Sequence, residues 1–395
     1  MAAGTRYQSF DLRAAAFYGA LAVAGAVACA ALLAAWFMEY SGHWVTGMDN
    51  QTVWGLPHVF AIFLIVAASG ALNVASIGTV FGCSAYKPLG RLSGLLAIAL
   101  LVGGLSVLVL DLGRPDRLVV AMTHYNFTSI FAWNIFLYTG FLAVTALYLW
   151  TMMEQPMNRW SFCAGLAAFL WRLVLTTGTG LIFGVLVARE AYDVVIMAPL
   201  FIATSFALGL ACFILVLAAV QGAHGRALGD APVRRLGRLL GIFVAVVLIF
   251  VAALHFARLA AGFSDTERFI LVEGGVITAL FWGGQIILGG LLPLVLLFSG
   301  GGRGRLLLAA GLVILGGFAQ LYVIIIGGQA VPLTLFPGMV VTSSFFDGQV
   351  AAYIPSLPEF GLGLGGIAIA ALIALIGFRN LSFLPANLAD PESTP

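Results

Sequence analysis

Long apolar runs separated by short polar or glycine-rich punctuation make up nearly the whole chain. The hydrocarbon layer of a bilayer takes about 20 apolar residues of helix. Runs of that length occur at 15–38, 54–81, 92–111, 128–152, 161–187, 194–220, 238–262, 270–298, 304–327 and 359–378. In lipid, only helices and closed barrels satisfy their own backbone hydrogen bonds, and unbroken runs this long read as helices. The pattern predicts an all-α integral membrane protein of about ten transmembrane helices. Lys87-Pro88-Leu89-Gly90 divides the second run from the third, and Gly300 to Gly304 divides the eighth from the ninth. The first run, after Arg13, is too long for a signal-peptide core and lacks a small-residue cleavage site, so it should remain as a membrane helix.

Ten spans place both termini on one side. Assigning Lys and Arg alternately puts Arg6, Arg13, Lys87, Arg91, Arg159, Arg226, Arg234, Arg235, Arg238, Arg303, Arg305 and Arg379 on the side of the termini. Only Arg114, Arg117, Arg189, Arg258 and Arg268 fall on the other, with Arg172 left in mid-span. By the positive-inside rule the termini are cytoplasmic and the poorer side is periplasmic, as in a multi-pass protein of the bacterial inner membrane. The organisation expected is a cytoplasmic segment 1–14, a first helix and periplasmic loop 15–53, two four-helix bundles at 54–190 and 191–327, a long loop and last helix at 328–380, and a disordered cytoplasmic tail at 381–395. The loop before the last helix carries Pro332, Pro337, Phe345 and Phe346. So apolar a loop should lie in the interface or under a partner.

Composition narrows the function. Hydrophobic residues are 62% and charged residues 9% of the 395, with mean hydropathy +1.08, against roughly 25% charged in soluble domains. The net charge of +2 comes from 17 Arg and one Lys spread through loops. No basic stripe tracks a phosphate backbone, which excludes nucleic acid as a partner. Cys29, Cys83, Cys163 and Cys212 lie far apart, so neither a zinc site nor an iron–sulfur cluster is expected, and they read as buried apolar residues. Only His58 and His255 lie within spans, which excludes the usual pair of stacked haems. If this chain serves redox chemistry, a partner must carry the electrons.

Polar groups inside a membrane invite a functional reading. His58 sits one turn into the second span, either bonded to a neighbouring helix or donating to a redox ligand. Asp111 ends the third span, where Asp111-Leu112-Gly113-Arg114-Pro115-Asp116-Arg117 turns the chain, and an Asp–Arg pair could simply shape that turn. In Tyr125-Asn126-Phe127-Thr128-Ser129 a hydroxyl residue is placed to cap the fourth span, with Trp133 and Asn134 one turn further in. Tyr125 and Trp133 also fit an interfacial aromatic belt. His58, Asp111, Arg114, Tyr125, Asn126 and Trp133 thus reach one membrane depth from three segments and could hold an amphiphilic ligand. Arg172 is followed by Thr176, Thr177 and Thr179, and at its depth it needs a carboxylate, carbonyls or water. His255, Arg258 and Glu273 fit a proton relay with Asp111 and Arg172, or salt bridges between adjacent helices. Arg172, Glu273, Gln285 and Gln320 leave a second reading open, a proton-translocating protein or secondary transporter.

Asp111-Leu-Gly-Arg-Pro-Asp-Arg117, with Asn126-Phe-Thr-Ser129 and the region of Trp133, resembles the NrfD family, which includes the polysulfide reductase membrane subunit. Pro199-Leu-Phe-Ile-Ala-Thr-Ser205-Phe-Ala-Leu-Gly209 is similar to the segment that opens the family's second bundle. Gly42-His-Trp-Val-Thr-Gly-Met48 and Trp54-Gly-Leu-Pro-His-Val-Phe60 look like the DsrP branch, membrane subunits of DsrMKJOP sulfur-metabolism complexes. The resemblance implies a haem-free subunit that exchanges electrons between menaquinone or ubiquinone and a periplasmic ferredoxin-like iron–sulfur protein (DsrO-like), alongside the other Dsr complex subunits. In the family an Asn, a His and a Tyr hold the quinone. His58 matches the His and Tyr125 the Tyr, while Gly55 stands where the Asn would be, leaving Asn126 or Trp54 as substitutes. Asp111 would relay protons, and Arg114 would hold Asp111 ionised or contact the quinone head. The partner would dock over the loop joining the third and fourth spans and the stretch Val331 to Phe346.

Overall fold

The computed structural model describes residues 7–8, 14–225, 228–300, 302–333 and 348–385. Ten helices long and apolar enough to cross a membrane are present among them: α1 Ala16–Ser41, α2 Leu56–Thr79, α3 Ser84–Leu110, α4 Ile130–Met153, α5 Asn158–Ile182, α6 Met197–Ala223, α7 Asp230–Ala261, α8 Val276–Phe298, α9 Arg303–Ala330 and α10 Leu357–Asn380. Each overlaps one predicted run. A two-residue strand, Tyr7–Gln8, pairs antiparallel with Leu384–Pro385 and brings both ends of the described chain to one face, here the terminal face.

Packing follows the two-bundle expectation. In the first bundle α2 packs on α3, α3 on α4, α4 on α5 and α5 on α2; in the second the same ring runs through α6, α7, α8 and α9. The bundles join where α2 meets α6, and α10 lies on α2 and α3 with α1 outside it. Burial agrees, since the apolar window of α2 is 94% buried and that of α6 is 72%, against 28% for α1 and α7. A helix apolar all round belongs at the centre. There the α2 and α6 backbones touch: a Cβ built on Gly70 would collide with the Ser205 carbonyl, and one on Gly209 would collide with the Gly70 backbone. Small residues permit such backbone contact, which lipid cannot drive by hydrophobicity.

Three expectations change. The eighth span does not begin at 270: Phe269–Glu273 forms one wide turn, Gly275 takes a left-handed conformation at φ 56°, and the helix resumes at Val276. Only glycine adopts that conformation without a Cβ penalty. Cys29, Cys83 and Cys163 are exposed rather than buried, whereas Cys212 is partly buried and packs against the core. Lipid can supply the apolar surroundings of those on outward helix faces. Ser129 precedes α4 but makes no side-chain cap bond. Most of the apolar loop (334–347) and the tail (386–395) lie outside the described residues.

Candidate functional site

The site forms on the face opposite the termini, where α2 begins and α3 ends. Gly55 is extended and Pro57 occupies the first turn of α2, a position that suits proline because no intrahelical acceptor awaits its missing N–H. His58 follows directly. Asp111 is the C-terminal cap of α3. The two side chains meet: His58 Nδ1 lies 3.0 Å from Asp111 Oδ2, with the imidazole 25% exposed and the carboxylate 2% exposed. The approach is out of line, so among the described residues His58 Nδ1 and both Asp111 oxygens lack a directed hydrogen bond. His43 Nε2 lies 3.1 Å from the Asp111 carbonyl oxygen and ties the turn after α1 to the same corner. A buried carboxylate without a directed donor is costly and calls for a specific cause, such as a water, an ion or a catalytic role.

A polar framework sets the start of α2. The Trp54 N–H donates to Gln329 Oε1 (3.0 Å) and Gln329 Nε2 donates to the Trp54 carbonyl (2.9 Å). Arg189 donates to the Gln329 carbonyl (3.1 Å) and the Gln51 carbonyl (2.5 Å). The Trp54 ring packs against Phe131, Phe183 and Tyr192. On the other flank the Leu56 N–H donates to the Tyr353 hydroxyl (2.6 Å), which donates in turn to Glu359 Oε1 (2.6 Å). Burial first, and then the neighbouring Glu359 carboxylate, push the Tyr353 hydroxyl well above the ordinary tyrosine range. Gln51, Arg189, Gln329, Tyr353 and Glu359 carried no signal in the apolar pattern, because their partners come from distant segments.

The remaining predicted residues are arranged differently. Arg114 is 67% exposed and pairs with Asp116 at 3.1 Å, not with Asp111. That pairing raises the Arg114 guanidinium and lowers the Asp116 carboxyl relative to their ordinary values. Tyr125 stacks on Phe136 at 4.2 Å. Asn126 Oδ1 accepts from the Thr128 N–H (3.1 Å) and hydroxyl (2.7 Å), and Trp133 Nε1 donates to the Phe127 carbonyl (2.9 Å). Among the described residues no hydrogen bond, ion pair or ring contact joins Arg114, Tyr125, Asn126 or Trp133 to His58 or Asp111. Short-range bonds hold this connecting segment as a separate aromatic patch on the same face. The six residues therefore resolve into one pair, with Asp111 buried and His58 half-buried, and one largely exposed patch.

Arg172 is fully buried and finds an amide rather than a carboxylate: Nη2 donates to Asn73 Oδ1 at 2.9 Å. Its guanidinium lies 4.9 Å from the Phe169 ring and 4.7 Å from the Phe206 ring, a cation–π environment that offsets part of its desolvation. Its Nε and Nη1 have no hydrogen-bond partner among the described residues. Glu273 is exposed and is not the partner of His255 and Arg258. Their partner is Glu267, fully buried, with Oε2 at 2.8 Å from His255 Nδ1 and Oε1 at 2.9 Å from Arg258 Nη1. Burial pushes the Glu267 carboxyl up, but His255 and Arg258 outweigh it and leave it below its ordinary value. The spacing Ser264 to Glu267 is a helix-start signature, and the Glu267 N–H donates to Ser264 Oγ at 3.3 Å. That signal locates the turn and says nothing of its partners.

Comparison with known proteins bears on this arrangement. The family model described as NrfD, polysulphide reductase, matches residues 44–333, which include His58, Asp111 and α2 to α9. A putative dimethyl sulfoxide reductase membrane subunit of Halobacterium salinarum is 26% identical over 385 residues, covering 88% of this chain and 86% of its own. An Hdr-like menaquinol oxidoreductase integral membrane subunit of Archaeoglobus fulgidus is 30% identical over 166 residues, and the match spans only 42% of either chain. A selenate reductase subunit of Mesobacillus selenatarsenatis is 22% identical, covering 67% of this chain and 70% of its own.

Proposed function

Because this chain belongs to the NrfD family of polysulphide reductase membrane proteins, we propose that it is the quinone-reactive membrane subunit of a quinone-linked oxidoreductase complex. The observation that carries the reading is the buried Asp111 carboxylate beside a partly open imidazole, His58 Nδ1 to Asp111 Oδ2 being 3.0 Å. With Nδ1 turned to the carboxylate, the neutral ring presents Nε2 to a ligand arriving at its open edge. It can accept a proton from a quinol hydroxyl, and the imidazolium formed then lies against the carboxylate. In the opposite direction the imidazolium donates to a quinone carbonyl. Menaquinone or ubiquinone fits this chemistry equally, and the electrons pass to a partner subunit.

The finer reading is a Dsr-type sulfur-metabolism complex with a DsrO-like iron–sulfur partner on the periplasmic surface. It is supported by the DsrP-like segments around Gly42–Met48 and Trp54–Phe60. Cytoplasmic termini in a bacterial inner membrane are supported by the twelve-to-five bias of Lys and Arg described above. The aromatic patch of Tyr125, Phe127, Trp133 and Phe136 then forms part of the docking surface or of the quinone's entry rim. Purification from native membranes tests this: bound quinone, a co-purifying iron–sulfur protein and no solute flux in liposomes are expected. Solute flux without bound quinone would instead establish secondary transport.

A further inference from the structure

A groove of about 750 Å³ opens in the outer wall of the protein between α1, α6 and α10. Its lining falls within 19–27 of α1, 216–223 of α6 and 364–378 of α10. It therefore lies in the half of α1 and of α6 nearer the termini and reaches about one turn past the middle of α10. Every lining residue is apolar or glycine, and small ones such as Gly19, Ala219 and Ala371 keep the groove open. In the opposite half of the membrane the crevice is closed. There a Cβ built on Gly365 would collide with Ala31, so α1 lies directly on α10. The Phe60 ring fills the gap between α9 and α10, 4.7 Å from the Phe318 ring and 6.1 Å from the Phe360 ring. On α10 the groove is about 21 Å long, short of the roughly 30 Å of a hydrocarbon layer. A partner's membrane-spanning helix needs a surface across both leaflets, whereas an acyl chain needs one leaflet.

Two cations stand at the terminal end of the groove. Arg379 is exposed and follows the lining residue Phe378, with its guanidinium 4.6 Å from the Phe17 ring and 5.3 Å from the Tyr18 ring. Stacking on a ring face uses none of the in-plane N–H donors. On the α6 side, a Cβ built on Gly222, next to the lining residue Ala223, would lie 3.6 Å from Arg303 Nη2. Among the described residues neither arginine pairs with a carboxylate, and the only acids at that face are Glu154 and Asp230. A guanidinium binds phosphate through parallel N–H bonds, and basic pockets between membrane helices recognise anionic head groups.

We propose that the groove binds an anionic glycerophospholipid of the leaflet nearer the termini, with an acyl chain between α1, α6 and α10 and the phosphate held by Arg379 and Arg303. Charge selects the ligand: phosphatidylglycerol and cardiolipin heads are purely anionic, whereas phosphatidylcholine carries a cation that the two arginines repel. The bound lipid joins the flanking helices α1 and α10 to the second bundle. His58 lies at the other face, so this site is independent of the quinone reading.

Native mass spectrometry of the intact complex, titrated in detergent with phosphatidylglycerol or phosphatidylcholine of matched chains, tests this. Phosphatidylglycerol should be retained preferentially. Arg303→Gln and Arg379→Gln should each weaken its retention roughly fivefold, while Arg159→Gln, which removes an exposed cation at the same face outside the groove, should not. Ala219→Trp, at an exposed position of the lining, should fill the groove and displace the lipid. Both arginines sit at helix ends outside the core, so their variants decide the matter even if Ala219→Trp fails to fold. Equal retention of the two lipids, or a preference unchanged in the double arginine variant, would overturn the proposal and leave only annular lipid. Full retention in Ala219→Trp would overturn it by placing the lipid elsewhere. A photo-crosslinker at Ala371 in the intact complex should capture lipid, and capture of another subunit's helix would likewise overturn it.

Discussion

Gly55 and Glu359 are in contact across the start of α2 and the start of α10: a Cβ on Gly55 would collide with Glu359 Oε1, and would also lie 2.7 Å from Met48 Cγ and 2.9 Å from the Tyr353 hydroxyl. Glu359 is fully buried and accepts from the Gly47 N–H (2.8 Å), the Ser356 N–H (2.7 Å) and Tyr353 (2.6 Å). It therefore has no freedom to retreat. Gly55→Ala should cost about 1–3 kcal/mol through overpacking, and Gly55→Asn should cost more. Thermal unfolding in detergent measures this; a neutral Gly55→Asn would show that the position can hold the asparagine of the family pattern.

Tyr353→Phe removes the acceptor of the Leu56 N–H and one donor to Glu359, which should cost about 1–3 kcal/mol and loosen the turn that presents His58. Lower quinone affinity with near-normal expression is the expected result. An unchanged melting temperature would show that water replaces the hydroxyl.

Glu267 gives a pH dependence with a definite sign. Its carboxyl is lowered in the folded protein despite burial, because His255 and Arg258 outweigh desolvation. A carboxylate with a lowered folded value stabilises fully above its unfolded value and loses that contribution as pH falls through the folded value. Glu267→Gln should therefore destabilise by about 3 kcal/mol at neutral pH, leaving Arg258 without its anion. The gap to the unmodified protein should close in acid, below the ordinary carboxylate range. Melting curves across that range check this, and a gap that widened in acid would reverse the assignment.

Arg172 and Asn73 make a separable pair. Asn73→Leu strips the guanidinium of its side-chain hydrogen bond, at 2.9 Å, whereas Asn73→Leu with Arg172→Met removes the buried charge as well. The double variant should be the more stable of the two. The reverse order would mean that water or carbonyls already satisfy Arg172.

Hydrophobic runs made the ten helices legible, because each crossing needs a long apolar stretch and little else in the chain competes with that signal. His58 and Asp111 were legible too, as ionisable residues at the ends of neighbouring runs. The pairing of Arg114 with Asp116 was not, since spacing alone cannot choose between two acids in one exposed turn. Glu273 drew attention by lying at a predicted span start, yet the glycine break at Gly274 and Gly275 puts it outside α8, and His255 and Arg258 pair with Glu267 instead. Gln329, Arg189 and Glu359 were silent for a different reason. Their partners lie up to 312 residues away, and no local pattern encodes such contacts.

Quinone binding to His58→Ala, measured by displacement of a quinone-site inhibitor from detergent-purified protein, tests the central assignment most directly. Losing one hydrogen bond to the ligand should weaken binding by roughly five- to 150-fold, about 1–3 kcal/mol, while membrane insertion and expression stay normal. Asp111→Asn should slow proton-coupled quinol turnover without abolishing insertion. Unchanged binding and quinone reactivity in a normally produced His58→Ala protein would contradict the account, and would leave the His58–Asp111 pair as a structural tie between α2 and α3.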